Sequence, residues 1–254
     1  MIEKSLKRVF IETFESAMIS RRFLRKDKVF HRIVNGKIVQ LLSYFKFSGS
    51  EFTIQFSIWP LCADGEYSTD MDDLRVCEEF EDIDSWECDY QTDGCVESML
   101  DALEATKKRL FPLFDLTIDY KSYLENRNNL RFPLHIVSDS VYMSNMALGN
   151  YELCKKSRET FINNRIEANQ RRWGTNSHIV PSTQEIFEQE CDEYFITKKA
   201  MDNGDHEYIE QYIQEKKRKS LESYVKAYTT PNKYKKFLET GELPFEFVRI
   251  PSEE

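Results

Sequence analysis

Glycine is scarce in this chain, eight residues in 254, and the eight never cluster. Loops that cradle phosphate need clustered glycines so that backbone N–H groups can approach the anion, and none is present. No G-x-S-x-G elbow exposes a nucleophilic serine. The four histidines, His31, His135, His178 and His206, stand apart from one another and from any cysteine at metal-ligand spacing, which argues against zinc. The six cysteines contain no C-x-x-C pair. Four of them, Cys62, Cys77, Cys88 and Cys95, lie within or beside one acidic stretch, where a disulfide pair is an open alternative. The scattered spacing leads us to expect six thiols and a reducing, cytoplasmic setting. No apolar run approaches the ~20 residues that cross a bilayer. The amphipathic start, Met1 to Phe14, is not the pattern of a secretory signal. A pI near 5.2 argues against broad binding of nucleic acid or an anionic membrane. No cofactor motif is found.

What is present in excess is negative charge in one place. Residues 64–93 hold thirteen carboxylates against a single base, Arg75, so this stretch carries about −12 while the whole chain carries −9. The remainder therefore sums to about +3. A field of one sign, concentrated in thirty residues, recruits a partner of the other sign. We take Asp70, Asp72, Asp73, Glu78, Glu79, Glu81, Asp82, Asp84, Glu87 and Asp89 as candidate partner-binding carboxylates. Trp86 and Tyr90 are the aromatic anchors among them. One calcium-loop register begins at Asp89, with Gln91, Asp93 and Gly94 in place. Its twelfth position is Leu100, which cannot supply the bidentate carboxylate. No catalytic residues are assigned. Glu215-Lys216-Lys217 imitates part of a nuclease motif but reads as a solvated helix surface.

Periodicity divides the chain in two. Apolar residues at helical spacing from Ile2 to Ala17 predict a first helix. Strands over 29–34 and 37–47 flank Asn35-Gly36, a pair that accepts the positive φ angles of a type I′ hairpin turn. In the next strand, 51–59, Phe52, Ile54, Phe56 and Ile58 alternate with Glu51, Thr53, Gln55 and Ser57. That alternation predicts an antiparallel sheet with one solvated face. Short strands near 75–80 and 86–90, a helix over 95–110 broken at Pro112, and a short helix over 119–125 complete the first part. From Ser138 onward the pattern is helical: 138–148, then to Trp173, then from a capping box at Ser182 to Met201, then to Tyr228. A last helix opens at Thr230-Pro231 and ends at Gly241. Met146, Gly149 and Glu152 recur at Met201, Gly204 and Glu207. This leaves open a tandem repeat or two unrelated helix hairpins. The fold class is α+β: an antiparallel β-meander on helices over 1–130, then an all-helical part of hairpins over 131–254.

The first part, roughly residues 5–127, resembles a bacterial family known only as domain of unknown function number 4304. The resemblance rests on the first helix, Phe23-Leu24-Arg25-Lys26 before Phe30-His31-Arg32, and the Asn-Gly hairpin. It continues through the strand Phe52 to Ile58, Arg75, Asp84, Trp86 and Leu110-Phe111-Pro112-Leu113-Phe114. It implies an α+β bacterial domain of the kind found among immunity proteins of toxin systems, with no residue roles. The sequence reading is a non-catalytic inhibitor: an immunity protein that blocks a basic, nuclease-like toxin domain, with no direct nucleic-acid or membrane contact. The alternatives are an enzyme with its site between sheet and helices, and a helical-repeat adaptor.

Overall fold

A computed structural model describes residues 6–46, 51–63, 78–79, 86–87, 94–126, 134–173 and 181–251. Helix α1 (Leu6–Ser20) buries Leu6, Val9, Phe10, Phe14 and Met18, one stripe at three- and four-residue spacing. The chain turns at Arg22 and Asp27, both at positive φ. Between these turns it forms β1 (Leu24–Lys26), a strand the sequence did not announce. Strands β2 (Val29–Val34), β3 (Ile38–Lys46) and β4 (Glu51–Pro60) follow as an antiparallel meander. Asn35 and Gly36, at φ 51° and 63°, make the predicted turn between β2 and β3.

The pleat assigns two faces. Phe30, Leu42 and Phe56 form one cross-strand row, and Arg32, Gln40 and Ile58 form the next. This face packs on α1 and on α2 (Gly94–Leu116). Phe10 meets Phe30 and Tyr44 at ring distances of 5.7 and 4.9 Å, and Phe56 meets Phe114 edge-on. Pro112 lies inside α2 rather than ending it. Proline removes one backbone donor there, and the buried Leu110, Phe111 and Phe114 hold the helix to the core across it.

The other face of the sheet is not solvated, contrary to the alternation in β4. His31, Leu41 and Ser57 share one row on it, and Thr53 and Ser57 are 0% and 2% exposed. The cover comes from much later in the chain. α3 (Tyr120–Asn126) leads to four helices, α4 (Leu134–Ala147), α5 (Tyr151–Trp173), α6 (Pro181–Asn203) and α7 (His206–Tyr228). α4 packs on α5 and α7, and α6 packs on the same two, closing a ring. α4 also touches β4. α6 starts at Pro181, so Ser182 sits inside its first turn and not at the cap. The turns of the two hairpins match at an offset of 55. Gly149 and Gly204 have φ 74° and 68°. Asn150 N donates to Asn145 O and Asp205 N to Ala200 O, each at 2.9 Å.

Helix α8 (Pro231–Thr240) is capped by the Thr230 side chain and ended by Gly241 at φ 71°. The last segment then returns to the hairpin turn. Val248 pairs with Val34, Asn35 exchanges hydrogen bonds with Ile250, and Phe247 lies 3.2 Å from where a Cβ on Gly36 would be. The exposed end of β2 is thereby covered, which blunts a free strand edge.

Candidate functional site

The acidic stretch is attached to the sheet at its far edge. Strand β4 ends at Pro60, and Leu61 N donates to Lys37 O at 2.7 Å. The acidic run begins directly beyond Ala63, whose carbonyl accepts from Ser220 of α7. The chain returns to the outer side of β4 twice. β5 (Glu78–Glu79) pairs Glu78 with Phe56 and Glu79 with Gln55. β6 (Trp86–Glu87) pairs Trp86 with Phe52 and Glu87 with Glu51. Four of the twelve predicted partner-binding residues are thus placed along one strand edge. Asp70, Asp72, Asp73, Glu81, Asp82, Asp84, Asp89 and Tyr90 lie outside the described residues. The expected strands, 75–80 and 86–90, survive as two residues each among those described.

Helix α2 follows this stretch and packs on β6. Its first buried residue is Cys95, which is disulfide-bonded to a partner outside the described residues. Cys62, Cys154 and Cys191 are thiols. The expectation of six thiols is therefore corrected, and with it the ground for a reducing compartment. Loop spacing could not reveal the bond, because bridging depends on Cβ atoms approaching within ~4 Å.

The sheet-to-helix interface was the location considered for an enzyme. Its most distinctive group is His31, 1% exposed. Nδ1 lies 2.6 Å from the Tyr224 hydroxyl, and the ring stacks on Tyr228 at 4.7 Å. Among the described residues Nε2 has no hydrogen-bond partner. Burial, with a smaller contribution from Lys26, pushes the imidazole down to about 3. A histidine so held is neutral at pH 7. It is also sealed from solvent, so it is poorly suited to exchanging protons with a substrate. Thr53 Oγ1, Gln55 Oε1 and Ser144 Oγ are likewise buried without partners among the described residues, marking a polar seam under the helices.

On the opposite face a second polar group ties the sheet to the end of α2. Arg32 is 4% exposed. It donates to Gln40 Oε1 at 2.8 Å and to the Arg21 carbonyl, and stacks over Phe23. Gln40 Nε2 in turn donates to Phe114 O and Thr117 O, satisfying carbonyls that a helix end leaves open. Arg21 pairs with Asp115 at 2.7 Å. Desolvation lowers the Arg32 pKa to about 10, with Asp115 opposing it, and the group stays charged at neutral pH. Of the six bases in residues 21–32, Arg21 and Arg32 meet Asp115 and Arg25 meets Glu15, while Asp27 pairs with Lys7 of α1.

In the helical ring Lys216, expected on a solvated surface, is buried and pairs with Glu193 at 2.9 Å. Burial works against the Glu193 carboxylate, but Lys216 and Tyr212 outweigh it and hold its pKa below the usual value. Tyr194 donates to Glu159 at 3.0 Å, and Tyr142 meets Thr197 at 2.6 Å. The exposed side of α7 borders an open concavity of about 470 Å³ lined by Glu207, Glu210, Gln211, Gln214, Glu215 and Arg218. Three carboxylates, two amides and one guanidinium line it. Among the described residues no three metal-ligating side chains converge, and no helix is long and apolar enough to cross a membrane.

No family model matches the chain, and no curated protein or solved structure matches it.

Proposed function

We propose that the protein is a binding inhibitor whose acidic stretch occupies the nucleic-acid-binding surface of a basic protein, as an immunity protein would block a nuclease-like toxin. The observation that carries this reading is the charge imbalance of residues 64–93, thirteen carboxylates against Arg75. Its supports are the two attachments of that stretch to β4, through Glu78–Glu79 and Trp86–Glu87. A sheet edge fixes Glu78, Glu79, Trp86 and Glu87 in place before a partner arrives, and preorganisation of this kind lowers the cost of binding. Carboxylates placed where phosphates would lie steer association and raise its rate by ~10–10³. Desolvated aromatics, with Trp86 the first candidate, supply affinity at the centre. The partner is met in a compartment where the Cys95 disulfide persists.

The test is capture from source-cell extract with wild-type protein and with an Asp70→Lys, Asp72→Lys, Asp73→Lys variant. A basic protein retained by the first and lost by the second supports the reading. An acidic protein, or equal retention, overturns it.

A further inference from the structure

Cys95, in the first turn of α2, is disulfide-bonded, while Cys62, Cys154 and Cys191 are thiols. The chain has six cysteines, so the partner of Cys95 is Cys77 or Cys88. Both lie outside the described residues, but each is one peptide bond away from a described strand. Cys77 precedes Glu78 of β5, and Cys88 follows Glu87 of β6. A trans peptide holds consecutive Cα atoms about 3.8 Å apart, and a disulfide needs its Cα atoms within ~7 Å. The strand next to the true partner therefore lies within about 11 Å of Cys95.

The two strands attach to different stretches of β4. Glu78 pairs with Phe56 and Glu87 with Glu51, which puts them ~17 Å apart along the strand at ~3.3 Å per residue. Helix α2 distinguishes them. Phe56, where β5 attaches, meets Phe114, which lies ~28 Å along the helix from Cys95 at ~1.5 Å per residue. β6 is packed on α2 itself. Trp86 pairs with Phe52, on the face of the sheet that α1 and α2 cover, and a strand returns to the same face every second residue.

We propose that Cys88 is the partner of Cys95, and that their bond clasps β6 to the start of α2. The closed loop spans only 88–95, so the constraint is local: it holds Trp86 and Glu87 against the core. Cys77 is left as a fourth thiol. Opening the clasp takes a dithiol reductant. Its thiolate attacks one sulfur, the S–S bond breaks, its two hydrogens end on Cys88 and Cys95, and it leaves as a disulfide. The clasp involves no partner protein, so its test is separate from that of the inhibitor reading.

The test is peptide mapping of the full chain, alkylated without reduction and cut at glutamates. Cleavage after Glu87 and Glu97 leaves Cys88 and Cys95 on one peptide, 88–97, and cleavage after Glu79 separates Cys77 from both. The expected product is peptide 88–97 alone, unalkylated, and lighter by two hydrogens than after reduction. A Cys77 peptide joined to 88–97, or 88–97 alkylated at Cys88, overturns the assignment. The clasping role is read by hydrogen exchange with and without dithiothreitol, in wild type, Cys77→Ser and Cys88→Ser. Exchange over 86–87 should rise at least tenfold on reduction of wild type and of Cys77→Ser. In Cys88→Ser it should be high from the start and indifferent to the reductant. Exchange in β2 and β3 should stay the same throughout. No rise over 86–87, or an equal rise in β2 and β3, overturns a local clasp.

Discussion

Acid should loosen this fold through His31 before most carboxylates titrate. The imidazole is held near a pKa of 3 in the folded protein, against 6.5 for the unfolded chain. Between those values the unfolded chain binds the extra proton, so stability falls as pH falls. The His31 contribution is complete above about pH 7 and is lost progressively down to about pH 3. Each unit in that window costs ~1.4 kcal/mol, so moving from pH 7 to pH 5 removes about 2 kcal/mol. That is a sizeable share of the ~5–15 kcal/mol stability of an ordinary domain. The assay is urea unfolding at pH 7 and pH 5 for wild type and His31→Leu. The variant removes the His31–Tyr224 hydrogen bond and is less stable at pH 7 by ~1–3 kcal/mol. It should nevertheless lose about 2 kcal/mol less than wild type on acidification. An equal loss in both proteins would refute the argument, because the buried imidazole would then not be the titrating group.

Other expectations follow from the packing. Phe56→Ala removes a ring that is 6% exposed and set against Phe114, and should cost ~3–5 kcal/mol in urea unfolding; an unchanged midpoint would contradict the strand assignment. Gly36→Ala combines a positive φ with a Cβ placed 3.2 Å from Phe247, so a loss of at least ~1 kcal/mol and a shifted Phe247 environment are expected. Thiol labelling of denatured, unreduced protein should find fewer than six groups and leave Cys95 unlabelled until a reductant is added.

Much of the fold was legible because it is written in short-range patterns. Asn35-Gly36 specified its turn, and Phe52 to Ile58 specified which side of β4 is apolar. Thr230-Pro231 and Gly241 bounded α8. The errors share one cause, that tertiary context lies far away in sequence. Thr53 and Ser57 are small and polar and read as solvent-facing, yet α4 and α7 cover their face of the sheet. His31 meets a hydroxyl 193 positions later. Lys216 reads as surface until Glu193 is placed beside it. Pro112 looked like a stop, and buried aromatic side chains on both sides of it override that local preference. For the candidate site the sequence supplied its charge and the two short strands near 75–80 and 86–90, of which Glu78–Glu79 and Trp86–Glu87 are described. Their pairing with β4 joins residues about twenty to forty positions apart, which no local pattern announces.

The central claim is that residues 64–93 act through charge on a basic partner, and it is tested most directly by association kinetics. The rate of binding to the captured partner is measured at 50 and ~300 mM salt, for wild type and for the Glu78→Lys, Glu79→Lys, Glu81→Lys variant. The account predicts that wild type associates at least tenfold faster at low salt. It predicts that the variant is slower there and almost indifferent to salt, with dissociation changed less. A variant that associates as fast as wild type at both concentrations would contradict it.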